Sequence, residues 1–390
     1  EPSPARSYGL DGEIRVYIDN NDGLPGIDAA GGERVILYFG MRRGGDTVYA
    51  LEVTDRNAPE LLWKLSSADA GFENLGQTWS TPSIVKVDIG GTEKKVAIFG
   101  GGYDDGQDLA GFRTDTRGNA IYMVDAFTGE LLWSAGNGSN HDLELAAMEH
   151  SIPAAIKVID INLDGQADRM YAADMGGRVW RFDIFNGETG GDFVQGGVFA
   201  SLGAADLGAP PLADVRRFYV TPDVAQVISR NRVFLSVSLG SGHREHPLDT
   251  GTNEEFYSMR DYNVFERLTN DQYGPPITRA DLTDITNDTS PELPYDSLGW
   301  RLTLDQSPGE KVGGESFTFQ NSVFFSSFSP GGNGDACVAA GGLNRLYFIS
   351  VLDGSPRTNG DITTEPQPED RYYTLQQGGF APEPVIFFFN

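Results

Sequence analysis

A single cysteine, Cys337, stands in a chain of 390 residues, so no internal disulfide can form. That thiol is either buried or paired outside this chain, and the redox compartment stays undecided. Basic residues are scarce as well: 29 Lys and Arg face 56 Asp and Glu, for a formal charge of −27. Such a surface repels phosphate backbones and anionic lipid, which excludes nucleic acid and direct membrane insertion as partners, while it attracts divalent cations. No run of 18 or more apolar residues exists to cross a bilayer as a helix. Helical periodicity is nearly absent. The chain opens at Glu1 in polar sequence with neither an initiator Met nor a signal peptide, and it is expected to be a mature or excised piece of a longer protein.

What is present is strand and turn material. Hydrophobic residues reach 39%, enough for a sizeable core, and Gly 49 with Pro 21 supplies many tight turns. One phrase recurs: an alternating strand with an aromatic and an acid, a turn, then an apolar pair ending in Trp. It runs from Thr47 to Val53 with Leu61 to Leu65, and again from Ala120 to Ala126 with Leu131 to Trp133. A third copy, Arg178 to Ile184, lacks the closing Trp, and a weaker fourth spans Arg345 to Val351. Alternation buries one strand face, the Thr-Gly or Asn-Gly pair makes the turn, and the aromatic packs between neighbouring sheets. A Pro-bearing strand and a Gly-rich strand precede the phrase, as in 81–87 and 95–101.

Four strands per unit, at irregular intervals of roughly 60 to 90 residues, predict an all-β, modified β-propeller. About seven four-stranded blades with irregular loop insertions are expected, quinoprotein-like in phrase, in one domain over 1–390. The stretches Leu268–Asp296 and Arg357–Asp370 read as long loops between blades. Ala381–Phe389 reads as the opening strand of a further unit, left as an exposed edge unless paired, which points to trimming or ring closure.

The strongest chemical motif is Asp160-Ile-Asn-Leu-Asp-Gly-Gln-Ala-Asp168, inside a strand-loop-strand at 156–173. A hard cation such as Ca²⁺ takes six to eight oxygens, and spacing by two along a tight loop turns alternate side chains inward. Asp160, Asn162 and Asp164 fill the first, third and fifth positions, and Gly165 permits the turn at the sixth. Gln166 supplies its backbone carbonyl and Asp168 closes the loop. Tyr171 occupies the twelfth position instead of a bidentate Glu, so water or a neighbouring loop must complete the shell. The competing reading is an Asx-turn hairpin without metal. Asp19-Asn-Asn-Asp-Gly23 with Asp28 is a looser candidate for a second cation site, and Asp104, Asp105 and Asp108 read as a solvated loop. His243 and His246 flank Glu245, but no third ligand at a fixed offset supports zinc, and a packed or solvated pair is expected. No nucleophile elbow, phosphate-cradling loop or Cys/His pairing is present, so no catalytic residue is assigned.

Further phrases carry a resemblance: Gly76-Gln-Thr-Trp-Ser80, Ile98-Phe-Gly-Gly-Gly-Tyr103, the run from Asp168 to Asp183, Gly240 to Leu248, and Phe256-Tyr-Ser-Met-Arg-Asp261. Together they resemble the C-terminal domain of the PilY family of type IV pilus biogenesis factors and tip-associated adhesins, from about Tyr8 to the end. The resemblance implies a modified propeller whose Ca²⁺ loop falls where Asp160 to Asp168 sits, with Ca²⁺ tuning pilus extension against retraction. It implies pilus tip proteins (minor pilins) and host or abiotic surfaces as partners. It also implies a place at the cell surface and pilus tip, reached through the periplasm and outer membrane. The Arg-Gly-Asp tripeptide of some members is missing, so integrin binding is not carried over. The phrase Tyr122 to Trp133 is also typical of pyrroloquinoline quinone dehydrogenase propellers. That alternative lacks a placeable central cofactor site, and the vicinal disulfide usual there needs two cysteines. A third reading is a structural docking platform with Ca²⁺ as a static staple.

Overall fold

The protein was analysed as a computed structural model, which describes residues 8–20, 23–204, 210–331, 341–358, 364–376 and 378–385. Cys337, Asn21 and Asp22 of the first acidic turn, and Ile386–Phe389 lie outside the described residues. Short strands dominate, joined by 3₁₀ turns, and no α-helix occurs among the described residues.

The first sheet holds β1 (Ile14–Asp19), β2 (Arg34–Gly40), β3 (Val48–Glu52) and β4 (Glu60–Leu65) in sequence order. The second holds β5 (Ser83–Ile89), β6 (Thr92–Gly100), β7 (Ala120–Asp125), β8 (Leu131–Gly136) and the short β9 (Leu143–Glu144). In the third are β10 (Lys157–Ile159), β11 (Arg169–Ala173), β12 (Arg178–Ile184) and β13 (Val194–Ser201). The fourth begins with β14 (Asp223–Ser229), β15 (Arg232–Gly240) and β16 (Glu255–Asp261). After β16 the chain returns to the third sheet, where β17 (Ile277–Thr278) pairs in parallel with β13. It then completes the fourth sheet with β18 (Thr283–Asp284) and β19 (Gly299–Thr303). The fifth sheet contains β20 (Lys311–Val312), β21 (Phe317–Phe319), β22 (Ser322–Ser329), β23 (Leu343–Ser350) and β24 (Tyr372–Leu375).

Consecutive sheets pack face to face through separate apolar layers. Tyr38, Trp63, Phe99 and Tyr122 join the first to the second, and Trp133, Met170, Trp180 and Phe182 join the second to the third. Tyr171, Val179, Val237 and Met259 join the third to the fourth, and Phe256, Trp300, Phe325 and Tyr347 join the fourth to the fifth. The repeated Trp works between sheets as its place in the phrase implies: Trp63 Nε1 donates to Ala126 O (2.9 Å), and Trp300 Nε1 donates to Val351 O (3.2 Å). Residues of β1, β5 and β10, with Thr221, Glu315 and Glu383, surround an axial cavity of about 430 Å³. This is a β-propeller.

The described residues form five sheets, one four-stranded and four five-stranded. The count of about seven is not reached within them, because insertions consume the chain. The largest lies inside a blade: Leu268–Asp296, expected between blades, separates β16 from β19 of one sheet and contributes β17 and β18. A strand of two residues carries no readable alternation, which hid both. The closing Trp of the fourth blade, Trp300, therefore arrives late. Ala381–Val385 forms no strand; its Ala381 N–H donates to Asn344 Oδ1 (3.2 Å) on β23.

Candidate functional site: the loop between β10 and β11

The register pair Ile159↔Arg169 closes the hairpin, and the expected loop from Asp160 to Asp168 lies between its strands. Asp168 N–H donates to Ile159 O and Ile184 N–H to Asp168 O, which ties the loop's end into the sheet. Its last limb is pinned sideways: Ala167 N–H donates to Lys86 O on β5 (2.8 Å), and Asn186 Nδ2 donates to Ala167 O (3.0 Å). The rest projects into solvent, where Leu163 is 85% exposed. Leu163 sits at φ +62°, a left-handed conformation that costs an L-residue about 1–2 kcal/mol. Gly165 follows at φ +88° with open space around its Cα, so glycine serves the backbone turn there.

The polar side chains organise this turn. Asp160 accepts from Leu163 N–H (2.7 Å) through one oxygen and from Gly165 N–H (2.8 Å) through the other. Asn162 Oδ1 accepts from Asp164 N–H, and Asp164 Oδ1 accepts from Gln166 N–H (2.8 Å). That backbone bond, then the Asn162 amide at 2.8 Å, lowers the Asp164 carboxyl below its ordinary value. Asp168 is different. It is buried, its Oδ2 accepts from Ile161 N–H (2.8 Å), and its Oδ1 meets the Arg267 guanidinium at 2.8 Å. As they stand, the three carboxylates are not gathered: no group of three His, Cys, Asp or Glu side chains able to hold a metal ion occurs among the described residues. The donor set is nonetheless all oxygen. Each carboxylate oxygen that accepts one N–H keeps a further lone pair, so Asp160, Asn162, Asp164, the Gln166 carbonyl and Asp168 fit a hard cation after side-chain rotation in the exposed limb.

Arg267 escaped the sequence reading, since nothing local marks it. It is placed by a buried ionic network under the loop. Asp183 accepts from Arg169 Nε (2.7 Å), from Arg181 Nε (3.0 Å) and Nη2 (3.1 Å), from Tyr273 O–H (2.9 Å) and from Leu268 N–H (3.2 Å). Asp261 accepts from Arg181 Nη1 (2.9 Å) and from the Tyr171 hydroxyl. Burial disfavours the Arg181 charge, yet Asp261 and Asp183 outweigh it and hold the guanidinium above its ordinary pKa. Both guanidinia also donate to Glu266 O, so the connection after β16 is clamped against β11 and β12 with Arg267 facing Asp168.

The other candidate residues are not brought together. Asp19 pairs with Lys95 and accepts from the Tyr17 hydroxyl (2.9 Å), while Asn20 binds its own turn. The expectation that Asp104 and Asp108 lie in a solvated loop is corrected. Asp104 is buried and accepts from Gly106, Thr116 and Arg117 N–H, because only a carboxylate satisfies three converging donors there. Asp108 is held by Arg43 (2.9 Å) and the Tyr103 hydroxyl (2.7 Å). His243 is buried and His246 exposed; their rings lie tilted with centroids 4.6 Å apart, and their Nε2 atoms face the Gln107 and Asp108 carbonyls.

Comparison with known proteins agrees with this architecture. Residues 4–196 match the family model described as the PilY1 beta-propeller domain. A type IV pilus biogenesis factor PilY1 homolog of Xylella fastidiosa is 27% identical over 365 residues, 87% of this chain and 23% of that protein. Type IV pilus biogenesis factor PilY1 of Pseudomonas aeruginosa (strain UCBPP-PA14) is 26% identical over 317 residues, 76% of this chain and 25% of that protein. The chain thus spans about a quarter of the length of these relatives. The crystal structure of the Pseudomonas aeruginosa PilY1 C-terminal domain superposes with a TM-score of 0.62 at 19% identity, over 90% of this chain and 71% of that one.

Proposed function

This chain carries the β-propeller domain of the PilY1 family, and from that premise we propose that it is a non-enzymatic, Ca²⁺-responsive module of a type IV pilus biogenesis factor. The observation that carries the reading is the all-oxygen loop Asp160 to Asp168, joined through Arg267 to the clamped connection after β16. Ca²⁺ would be held by Asp160, Asn162, Asp164, the Gln166 carbonyl and Asp168, and would supply the positive charge that draws the three carboxylates together. Its arrival competes with Arg267 for Asp168, so occupancy shifts the position of the segment that the ionic network holds. That coupling gives a route from ion to surface, and the surface is read as the part that meets pilus tip proteins, minor pilins among them, and external surfaces. Its place is the cell surface at the pilus. Ca²⁺ occupancy would set pilus extension against retraction and attachment.

The test is calorimetric titration of the chain with Ca²⁺ beside Asp164→Ala and Asp168→Ala. One saturable site is expected in the parent and none in either variant. No uptake by the parent, or unchanged uptake by the variants, overturns the reading. A micromolar to millimolar affinity fits a responsive site, whereas a non-exchanging nanomolar site makes the ion a static staple.

Arg267→Ala separates competition from positioning. The Arg267–Asp168 pair is one-third exposed on the arginine side, so it is worth about 0.5–1 kcal/mol. Its removal is expected to tighten Ca²⁺ binding by about two- to fivefold in the same titration. Weaker binding would instead mean that Arg267 orients Asp168 as a ligand.

A further inference from the structure

A second site lies away from the loop, where the fourth sheet meets the fifth. The turn between β14 and β15 places Arg230 and Asn231 at φ +48° and +62°. Asn-Gly would make this turn without strain, so the large cation at Arg230 is not there for the backbone. Its Nη1 donates to Leu293 O (3.2 Å). Arg232 lies with its guanidinium 3.4 Å from the Tyr262 ring centroid and 5.3 Å from that of Tyr295. Arg260 lies over Phe234 at 4.9 Å and donates to Leu352 O and to the Tyr262 hydroxyl (3.4 Å), while its buried Nε has no hydrogen-bond partner among the described residues. These three arginines border one cavity of about 310 Å³, walled further by Pro291, Pro294 and Tyr295 and shared with two acids, Glu292 and Asp353.

None of the three forms an ion pair among the described residues, although acids outnumber bases 56 to 29 in the chain. Asp353, at the same cavity, spends Oδ1 on Ser355 N–H and Oγ instead. A buried unpaired N–H costs about 1–3 kcal/mol, and three cations around one cavity repel one another, so stability alone does not explain the arrangement. Guanidinium groups fixed by aromatic stacking offer planar forks to an oxyanion. Tyr295, 57% exposed and directly after Pro294, adds a flat apolar wall beside them. The cavity volume matches one or two sugar rings, at the small end of ligand pockets. We propose that this cavity binds an acidic saccharide, its carboxylate on Arg230, Arg232 and Arg260 and its ring against Tyr295. The site does not rest on the Ca²⁺ reading. In a strongly acidic protein, a pocket with three arginines against two acids also selects: extended polyanions are repelled by the remaining surface, and a small acid is not.

The test is calorimetric titration of the full chain with glucuronate and digalacturonate, with galactose and inorganic sulfate as controls. Saturable binding of the uronates is expected, with galactose and sulfate at least tenfold weaker. Arg230→Asn keeps the left-handed turn and removes one guanidinium, and Arg260→Lys keeps charge but not the fork. Each is expected to weaken uronate binding at least fivefold with an unchanged far-UV spectrum. Absent uronate binding, galactose binding as tight as uronate, sulfate binding as tight as uronate, or unchanged affinity in both variants would each overturn the proposal.

Discussion

Asp183→Asn is expected to destabilise the propeller by about 3–5 kcal/mol, the usual consequence of removing one partner from a buried ion pair. The side chains of Arg169 and Asp183 are fully buried and those of Arg181 and Asp261 are at most 2% exposed, and the four balance as two cations and two anions. The substitution nearly keeps the shape and leaves one guanidinium charge without a counter-ion in a region closed to water. It also weakens the acceptor for Tyr273 O–H and Leu268 N–H, so the connection after β16 loosens along with the core. The measurement is the urea midpoint of the variant against the parent. A second variant, Asp183→Asn with Arg169→Met, restores the charge balance and is expected to recover a large part of the loss. If the double variant is no more stable than the single one, the hydrogen bonds of Asp183 rather than its charge hold this region. Because the network places Arg267, the single variant should also change Ca²⁺ uptake at the loop.

The same network shows where the sequence stops being legible. The second blade was readable nearly strand by strand, since β5 to β8 follow one another as short apolar runs between turns, although β6, β7 and β8 are buried over consecutive residues rather than on one face. The metal-type loop was readable because its oxygen donors lie within one turn, and it falls between β10 and β11 as expected. Arg169, Arg181, Asp183 and Asp261 were visible only as letters of recurring phrases. Their pairing joins residues 80 apart, and no local spacing encodes a contact across a blade interface. Arg267 was hidden for the same reason, and β17 because it adds to a sheet that the chain had already left. Asp104 was misread because a run of acids in a Gly-rich stretch has the composition of a solvated loop. Its burial follows from a fold-back that brings the Thr116 and Arg117 backbone onto it. Local patterning thus carries strands and turns, while the long-range connections carry the coupling between blades.

Those connections also bury two titrating groups with opposite tendencies, and the largest pH effect is expected when one of them is removed. His243 is 2% exposed; burial first, then the Arg217 charge, pushes its imidazole down to about 4, against the pull of Asp249 and with His246 adding to the push. Glu254 is equally buried, and burial raises its carboxyl to about 7 despite the Ser241 hydrogen bond and the Arg216, Lys311 and Arg217 charges. For His243 the folded value lies below the unfolded one of about 6.5, so its contribution is intact above pH 6.5 and is lost as pH falls toward 4. For Glu254 the folded value lies above the unfolded one of 4.5, so its contribution is intact below pH 4.5 and is lost as pH rises toward 7. Across the shared window the two slopes oppose and nearly cancel, each amounting to about 3 kcal/mol at 1.36 kcal/mol per pH unit. Glu254→Gln is expected to unmask the histidine: stability relative to the parent should fall by about 3 kcal/mol between pH 7 and pH 4.5. His243→Gln, which retains a donor toward the Gln107 carbonyl, should show the reverse, gaining a similar amount on acidification. Urea midpoints of the three proteins from pH 4 to pH 8 decide it. Parallel profiles would show that neither group keeps its shifted protonation state in the folded chain. Opposed profiles would show that the face around Arg217 keeps Glu254 protonated and His243 unprotonated, two effects that are visible only one at a time.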